Sequence, residues 1–482
     1  MPVSAIQAAQ VRPSSRQLAW QELEFYAFIH FTMNTFTDRE WGDGTEDPAL
    51  FDPSALDARQ WARAVKSAGM KGLILTCKHH DGFCLWPSAY TEHSVRRSPW
   101  RDGAGDLVRE VADACREEGL KFGVYLSPWD RHERSYGDSP AYNAYFLNQL
   151  RELLTGYGEV FCVWFDGACG EGPNGKRQVY DWDAYYALIR ELQPGAVISV
   201  CGPDVRWCGN EAGHTRPSEW SVVPASMRDN EKIQAKSQQA DDGGAFATRV
   251  NTEDDDLGSR AVLALADEAV WYPAEVNTSI RPGWFYHAAE DDRVLTLAQL
   301  ADLYERTVGG NASFLLNIPP DRRGLVHERD AASLAELGAW LAAVYGDNLA
   351  AGATAAASAE ADPEHAASCA TDGAADTHWC PPAGTEQAAL EIDLGTERSF
   401  DRVVLREQIR EGQRVERFRL EAWREEGWQP LAEGTVIGAK RICRVAATSA
   451  RKLRLLIDES RYQPTISAFE VYKAGEAALS SV

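Results

Sequence analysis

Over its first ~345 residues the chain switches repeatedly between short continuous apolar runs and stretches of helical period, which narrows the folds open to it. Strand-like runs fall at 25–31, 72–77, 121–126, 160–165, 196–200, a weak one near 220–223, then 269–272 and 313–318. Helix-like runs between them fall at 58–67, 106–118, 141–154, 182–192 and 297–308. Continuous apolar strands need cover on both faces, as in a parallel sheet wrapped by helices. Eight such strands in ~300 residues predict an α/β chain whose residues 1–345 form a (β/α)8-like barrel. The fifth to seventh strands are the least distinct.

The pattern changes at 350–361, AAGATAAASAEA, a small-residue stretch that reads as a linker or a mobile first turn. Beyond it, alternating runs at 389–394, 402–408, 417–423, 428–432, 441–446, 452–457 and 465–473 predict an all-β sandwich over 350–475. A net charge of −23 argues against nucleic acid and anionic membrane surfaces as partners. The ten cysteines form no C-x-x-C pair, which fits free thiols in a reducing compartment. With no apolar leader segment and no run of transmembrane length, a cytoplasmic location is expected. Oligomeric state is not legible. Residues 227–250 read as a long polar loop or lid, and 253–256 as a solvated acidic loop, with a calcium site as the minority reading.

Chemistry gathers at the predicted strand ends, where barrels build active sites. The run VFCVWFDGA ends abruptly on Asp166, a carboxylate that burial makes costly unless it is paired or serves a ligand. It is the first candidate for a nucleophile; a capped strand-end aspartate is the structural alternative. His79 and His80 follow the run GLILTC. Neighbouring residues of a strand point to opposite faces, so both enter the barrel only if the strand has ended. They lack a third ligand at suitable spacing, so hydrogen bonding to a polyol is favoured over metal. His30 ends FYAFIHF, Glu40 and Trp41 follow in a glycine-bounded loop, and Tyr125 ends FGVYL, with Trp129 and Asp130 just beyond. Four strand ends thus supply His30, His79 with His80, Tyr125 and Asp166. Together they describe a polar, aromatic-walled pocket for a small hydroxylated ligand.

A retaining glycosidase needs a second carboxyl group about 5 to 5.5 Å from the first. Asp204, Glu211, Glu219, Glu253 and Glu275 are the downstream candidates. Glu211 sits between Gly209 and Gly213, which let a loop approach a ligand closely. Glu219 is the rival, and also a plausible salt-bridge partner of Arg216.

The runs FIHF, EWGDG, LTCKHHDGFCLWPS, GVYLSPWD, VWFDGA and NASFLLNIPPDRRG, in that order over residues 20–345, resemble the α-L-fucosidases of glycoside hydrolase family 29. The resemblance implies a retaining exo-glycosidase on a (β/α)8-like barrel, with Asp166 as nucleophile. It implies that His30, Glu40, Trp41, His79, His80 and Tyr125 line a fucose pocket, with Trp284 as an aromatic wall. The stretch RWCGNEAGHTRPSEWSVVP resembles the subgroup selective for α-1,3 and α-1,4 linkages, where the GNE glutamate is the acid/base; this favours Glu211. Its burial and the charge on Asp166 would keep it protonated until the nucleophile is consumed. The C-terminal pattern, with Asp372-Gly373, Thr377-His378-Trp379 and ISAFEVYK, resembles discoidin-like (coagulation factor 5/8 type C) carbohydrate-binding modules. Such a module either binds sugar or buttresses the barrel, with calcium possible near Asp372. The expected partner is a fucosylated oligosaccharide or glycoconjugate, with no metal or organic cofactor. Two rivals make different predictions: a fucose-binding lectin binds without turnover, and a metal-dependent hydrolase loses activity to a chelator.

Overall fold

Buried apolar runs fold as parallel strands here because helices cover their outer face while their inner face packs into the barrel interior. The structure is a computed structural model that describes residues 2–238, 255–425 and 427–474. Strands β1 Phe25–Ile29, β2 Gly72–Lys78, β3 Lys121–Leu126, β4 Cys162–Phe165, β5 Val197–Val200 and β6 Arg206–Trp207 are followed by β7 Val222–Pro224, β8 Ala269–Trp271, β9 Ala274–Ser279 and β10 Ser313–Asn317. Eight of them form a parallel sheet in the order β5-β4-β3-β2-β1-β10-β9-β6. A parallel bridge between Ser199 and Val205 joins its two ends, so the sheet is a near-closed barrel. Helices begin where short polar side chains cap them. Asp57 accepts from Arg59 N and Gln60 N ahead of Ala58–Ser67, and Thr296 makes a capping box with Gln299 ahead of Leu297–Thr307. Tyr26, Phe28, Tyr125, Phe161 and Trp164 fill the barrel interior.

The expected strands near 220–223 and 269–272 are not barrel strands. They correspond to β7 and β8, which pair antiparallel outside the barrel. The barrel positions are taken by β6 and by β9, which starts immediately beyond Pro273. The sequence of β9, AEVNTS, is less apolar than that of β8 because its alternate residues Glu275, Asn277 and Ser279 make polar contacts within and above the barrel.

Beyond the barrel, β11 Thr354–Ala357, β12 Ala388–Glu407, β13 Val415–Arg424, β14 Gly427–Gly434, β15 Arg441–Ser460 and β16 Ile466–Tyr472 form an antiparallel assembly in the order β11-β12-β15-β13-β14, with β16 also on β12. β12 and β15 each run through two of the expected strands. Their ladder shifts register between Asp393/Arg398 and Phe400/Arg402. The supposed linker contains an edge strand instead: small side chains let β11 pair with Leu390–Asp393 of β12.

Residues 225–238 are also more ordered in pattern than the polar loop expected there. A 3-10 turn, Ala225–Arg228, leads into helix Asn230–Lys236, capped by Asp229. Residues 239–250 of that expected loop, and Glu253 and Asp254 of the acidic patch, lie outside the described residues. All ten cysteines are free. No described helix is long and apolar enough to cross a membrane.

Candidate active site

The loops after β1, β2, β4, β6 and β9 converge on one pocket above the carboxyl ends of the strands. It is lined by Phe28, His30, Glu40, Trp41, His79, His80, Trp164, Asp166, Ala168, Glu211, Asn277, Trp284 and Phe285. β2 ends at Lys78, so the strand's alternation stops before the two histidines. Both then reach the same pocket, their ring centres 4.1 Å apart. Lys78 itself turns away and is buried in an ion pair with Asp130 at 2.8 Å, beside Gln149. Asp130 therefore serves the scaffold rather than the pocket.

Asp166 is half-buried just past β4. Its Oδ1 accepts from Ala168 N at 2.8 Å and its Oδ2 from the Tyr125 hydroxyl at 3.0 Å. Tyr125 is fully buried and lies beneath the pocket, not in its lining. Burial, and then the charge of Asp166, push its hydroxyl well above the usual tyrosine range, so it remains a donor. His80 Nε2 lies 3.7 Å from Asp166 Oδ2.

Neighbouring groups fix the tautomers of the histidines. The Ser127 hydroxyl donates to Trp129 O at 2.6 Å, so its oxygen accepts from His80 Nδ1 at 2.7 Å. The Asn317 amide donates to Trp284 O and Ser279 Oγ, so its Oδ1 accepts from His30 Nδ1 at 2.8 Å. Burial lowers His30 to about 3 and His80 to about 4, and drives His79 well below its usual range. His30 and His80 are therefore neutral at pH 7, each with an Nε2 lone pair able to accept from a sugar hydroxyl.

Glu211 reaches the pocket on the loop after β6. Asn210 shapes that loop: its Oδ1 accepts from Ala212 N and His214 N, both at 3.1 Å. Trp284 Nε1 donates to Glu211 Oε2 at 2.9 Å, so the aromatic wall and the carboxyl are directly joined. The other acidic candidates are placed differently. Glu219 is fully buried between Arg206 at 2.6 Å and Arg216 at 3.5 Å. Asp204 is buried and holds Arg190 and Ile198 N. Glu275 is sealed beneath the pocket, where it accepts from Trp164 Nε1 and the Tyr26 hydroxyl; burial raises it to about 7. Glu253 lies outside the described residues. Among the described residues, no group of three or more His, Cys, Asp or Glu side chains could hold a metal ion.

Phe28, Trp164, Ala168, Asn277, Phe285 and the underlying Asn317 complete the site and were not singled out in the sequence. The strand-end logic that picked out His30 also fits Asn317, the last residue of β10. Asn277 was hidden by the displaced assignment of β9.

Residues 14–347 match the family model described as alpha-L-fucosidase, and residues 354–471 match the F5/8 type C domain. A putative alpha-L-fucosidase 1 of Oryza sativa subsp. japonica is 44% identical over 465 residues, covering 95% of this chain and 84% of the relative. Alpha-L-fucosidase 1 of Arabidopsis thaliana is 41% identical, covering 95% and 87%. Among solved structures, a putative alpha-L-fucosidase from Bacteroides ovatus is 47% identical, with a TM-score of 0.84 over 98% of this chain and 75% of that one. A Ruminococcus gnavus fucosidase of glycoside hydrolase family 29, solved in complex with fucose, is 31% identical, with a TM-score of 0.84 over 99% and 97%.

Proposed function

The chain belongs to the alpha-L-fucosidase family of retaining glycoside hydrolases, and on that premise we propose that it removes α-1,3- and α-1,4-linked fucose from branched, Lewis-type glycans. In this reading Asp166 attacks the anomeric carbon of a terminal fucose, and the glycosidic bond breaks with its electron pair on the departing oxygen. Glu211 gives that oxygen a proton, then takes one from the water that releases fucose from Asp166. The observation that carries the reading is that these two carboxyl groups line one pocket, while Glu219 is held in an ion pair.

The two bonds from Ala168 N and the Tyr125 hydroxyl hold the Asp166 carboxyl group in place. They also support its departure in the second step. Neutral His30 and His80 accept hydrogen bonds from the sugar hydroxyls without placing a cation beside the oxocarbenium-like transition state. Glu40, Trp41, His79 and Trp284 complete the fucose-binding wall. The substrate is a fucosylated oligosaccharide or glycoconjugate.

Linkage preference is inferred from the Arg206–Pro224 stretch and its resemblance to the α-1,3/1,4-selective subgroup. A branched glycan sets a galactose beside the fucose. The loop around Glu211 on one side and Trp129 on the other are suited to meet it; Trp129 packs against Trp41 and His80 at the pocket edge. A site that hydrogen-bonds this branch discriminates strongly, because its polar groups go unpaired when the branch is missing. Lewis-a and Lewis-x trisaccharides should therefore exceed 2-linked fucosyllactose and simple nitrophenyl fucoside in kcat/KM by at least about a hundredfold. A preference for the 2-linked sugar would overturn the linkage assignment.

A further inference from the structure

The wall formed by Trp284 and Phe285 belongs to a loop that leaves β9, and its two ends are pinned by different chemistry. At the start, Arg281 pairs with Asp330 at 2.8 Å and Asp291 at 2.9 Å. A guanidinium holds its charge at any working pH. At the far end, Glu40 accepts from Trp284 N at 2.9 Å, Phe285 N at 3.1 Å and His287 Nε2 at 2.8 Å. His287 Nδ1 lies 2.7 Å from Asp38 Oδ1. A neutral imidazole carries one N–H, and an ionised carboxylate only accepts. Bonds from both ring nitrogens to two carboxylates therefore require an imidazolium.

We propose that His287 is a positioning residue: its imidazolium bridges Asp38 and Glu40, fixes Glu40 against the backbone of Trp284 and Phe285, and so holds the aromatic wall in place. The same wall holds Glu211 through Trp284 Nε1, so the inference deepens the reading of this pocket and rests on it. The acidic groups facing His287 are Glu40, Asp38 and Glu290. The bond to Glu40 is the largest cause raising its pKa, to about 9, against the opposing effect of burial. The bridge is thus complete below about pH 9 and is lost as pH rises through that value. With the proton gone, one of its two bonds must break, and the far end of the loop loses a charge-assisted tie that the Arg281 end keeps.

The test follows kcat/KM against pH with an activated chloronitrophenyl fucoside, whose leaving group needs no proton. Deprotonation of Glu211 then does not shape the alkaline limb, so a failure here is separate from a wrong acid/base assignment. The wild type should lose at least tenfold in kcat/KM through about pH 9, mainly as a rise in KM. His287→Gln can keep one amide bond but no charge. It should sit about tenfold below wild type at pH 7, again mainly in KM, and lack the alkaline limb. A wild-type profile flat to pH 10, or a Gln variant with wild-type kcat/KM at pH 7 or an unchanged alkaline limb, would overturn the proposal. The wild-type profile decides the matter even if the variant fails to fold.

Discussion

At the scale of single residues, the pocket separates carboxyl groups by what touches them. Asp166 accepts two hydrogen bonds from partners that do not lose their protons at neutral pH, a backbone amide and a tyrosine kept protonated by burial. Glu211 is joined to a tryptophan that also walls the pocket. An acid that protonates the leaving oxygen matters in proportion to how poorly that oxygen leaves. Glu211→Ala should therefore lose about a thousandfold or more in kcat/KM on a trisaccharide and far less on a dinitrophenyl fucoside. Equal losses on the two substrates would rule out the acid role.

At the scale of elements, the segment after β6 has two glutamates only eight positions apart with opposite environments. Glu219 pairs with the buried Arg206 and the half-buried Arg216, and removing one partner of such a cluster leaves charge without compensation. Glu219→Gln should cost about 3 to 5 kcal/mol of stability, read from the denaturation midpoint, while the folded fraction keeps the wild-type ratio of rates on good and poor leaving groups. A leaving-group effect in this variant would transfer the acid role to it. The sequence left the two glutamates close in merit because glycine spacing speaks to loop approach and says nothing of what arrives from other strands. Arg206, thirteen residues away, decides the matter. The strand ends carrying His30, His79, His80 and Asp166 were legible because each closes a mostly apolar run. β9 was not, since its inward Glu275 and Asn277 break the apolar pattern and the more apolar β8 lies just before it. Tyr125 was legible as a pocket residue but not as a support beneath Asp166, a distinction that depends on three-dimensional depth.

At the scale of the molecule, the C-terminal β assembly grips the barrel near the segment that carries Glu211 and Glu219. Gln413 Oε1 accepts from Ser221 N at 2.7 Å, and Asn311 links Glu219 O to Ala439 N. The Arg461 guanidinium lies 4.1 Å over the ring of Trp220. A second anchor is the buried pair of Glu305 in the barrel's helix and Arg402 in β12. Buttressing is therefore a physical role of this assembly. Arg402→Met should destabilise the chain by about 3 to 5 kcal/mol, seen as a lower unfolding midpoint, with kcat on a small fucoside within about twofold of wild type. An unchanged midpoint would show that the pair does not secure the interface.

In the proposed mechanism fucose becomes covalently bonded to Asp166. A fluorinated fucosyl donor that forms the intermediate quickly and hydrolyses slowly should leave one fucosyl residue per chain, and peptide mass spectrometry should place it on Asp166. Asp166→Ala should take up no label, while azide partly restores its cleavage of an activated fucoside as the β-azide. Label on any other residue, or stable labelling of the alanine variant, would contradict the account.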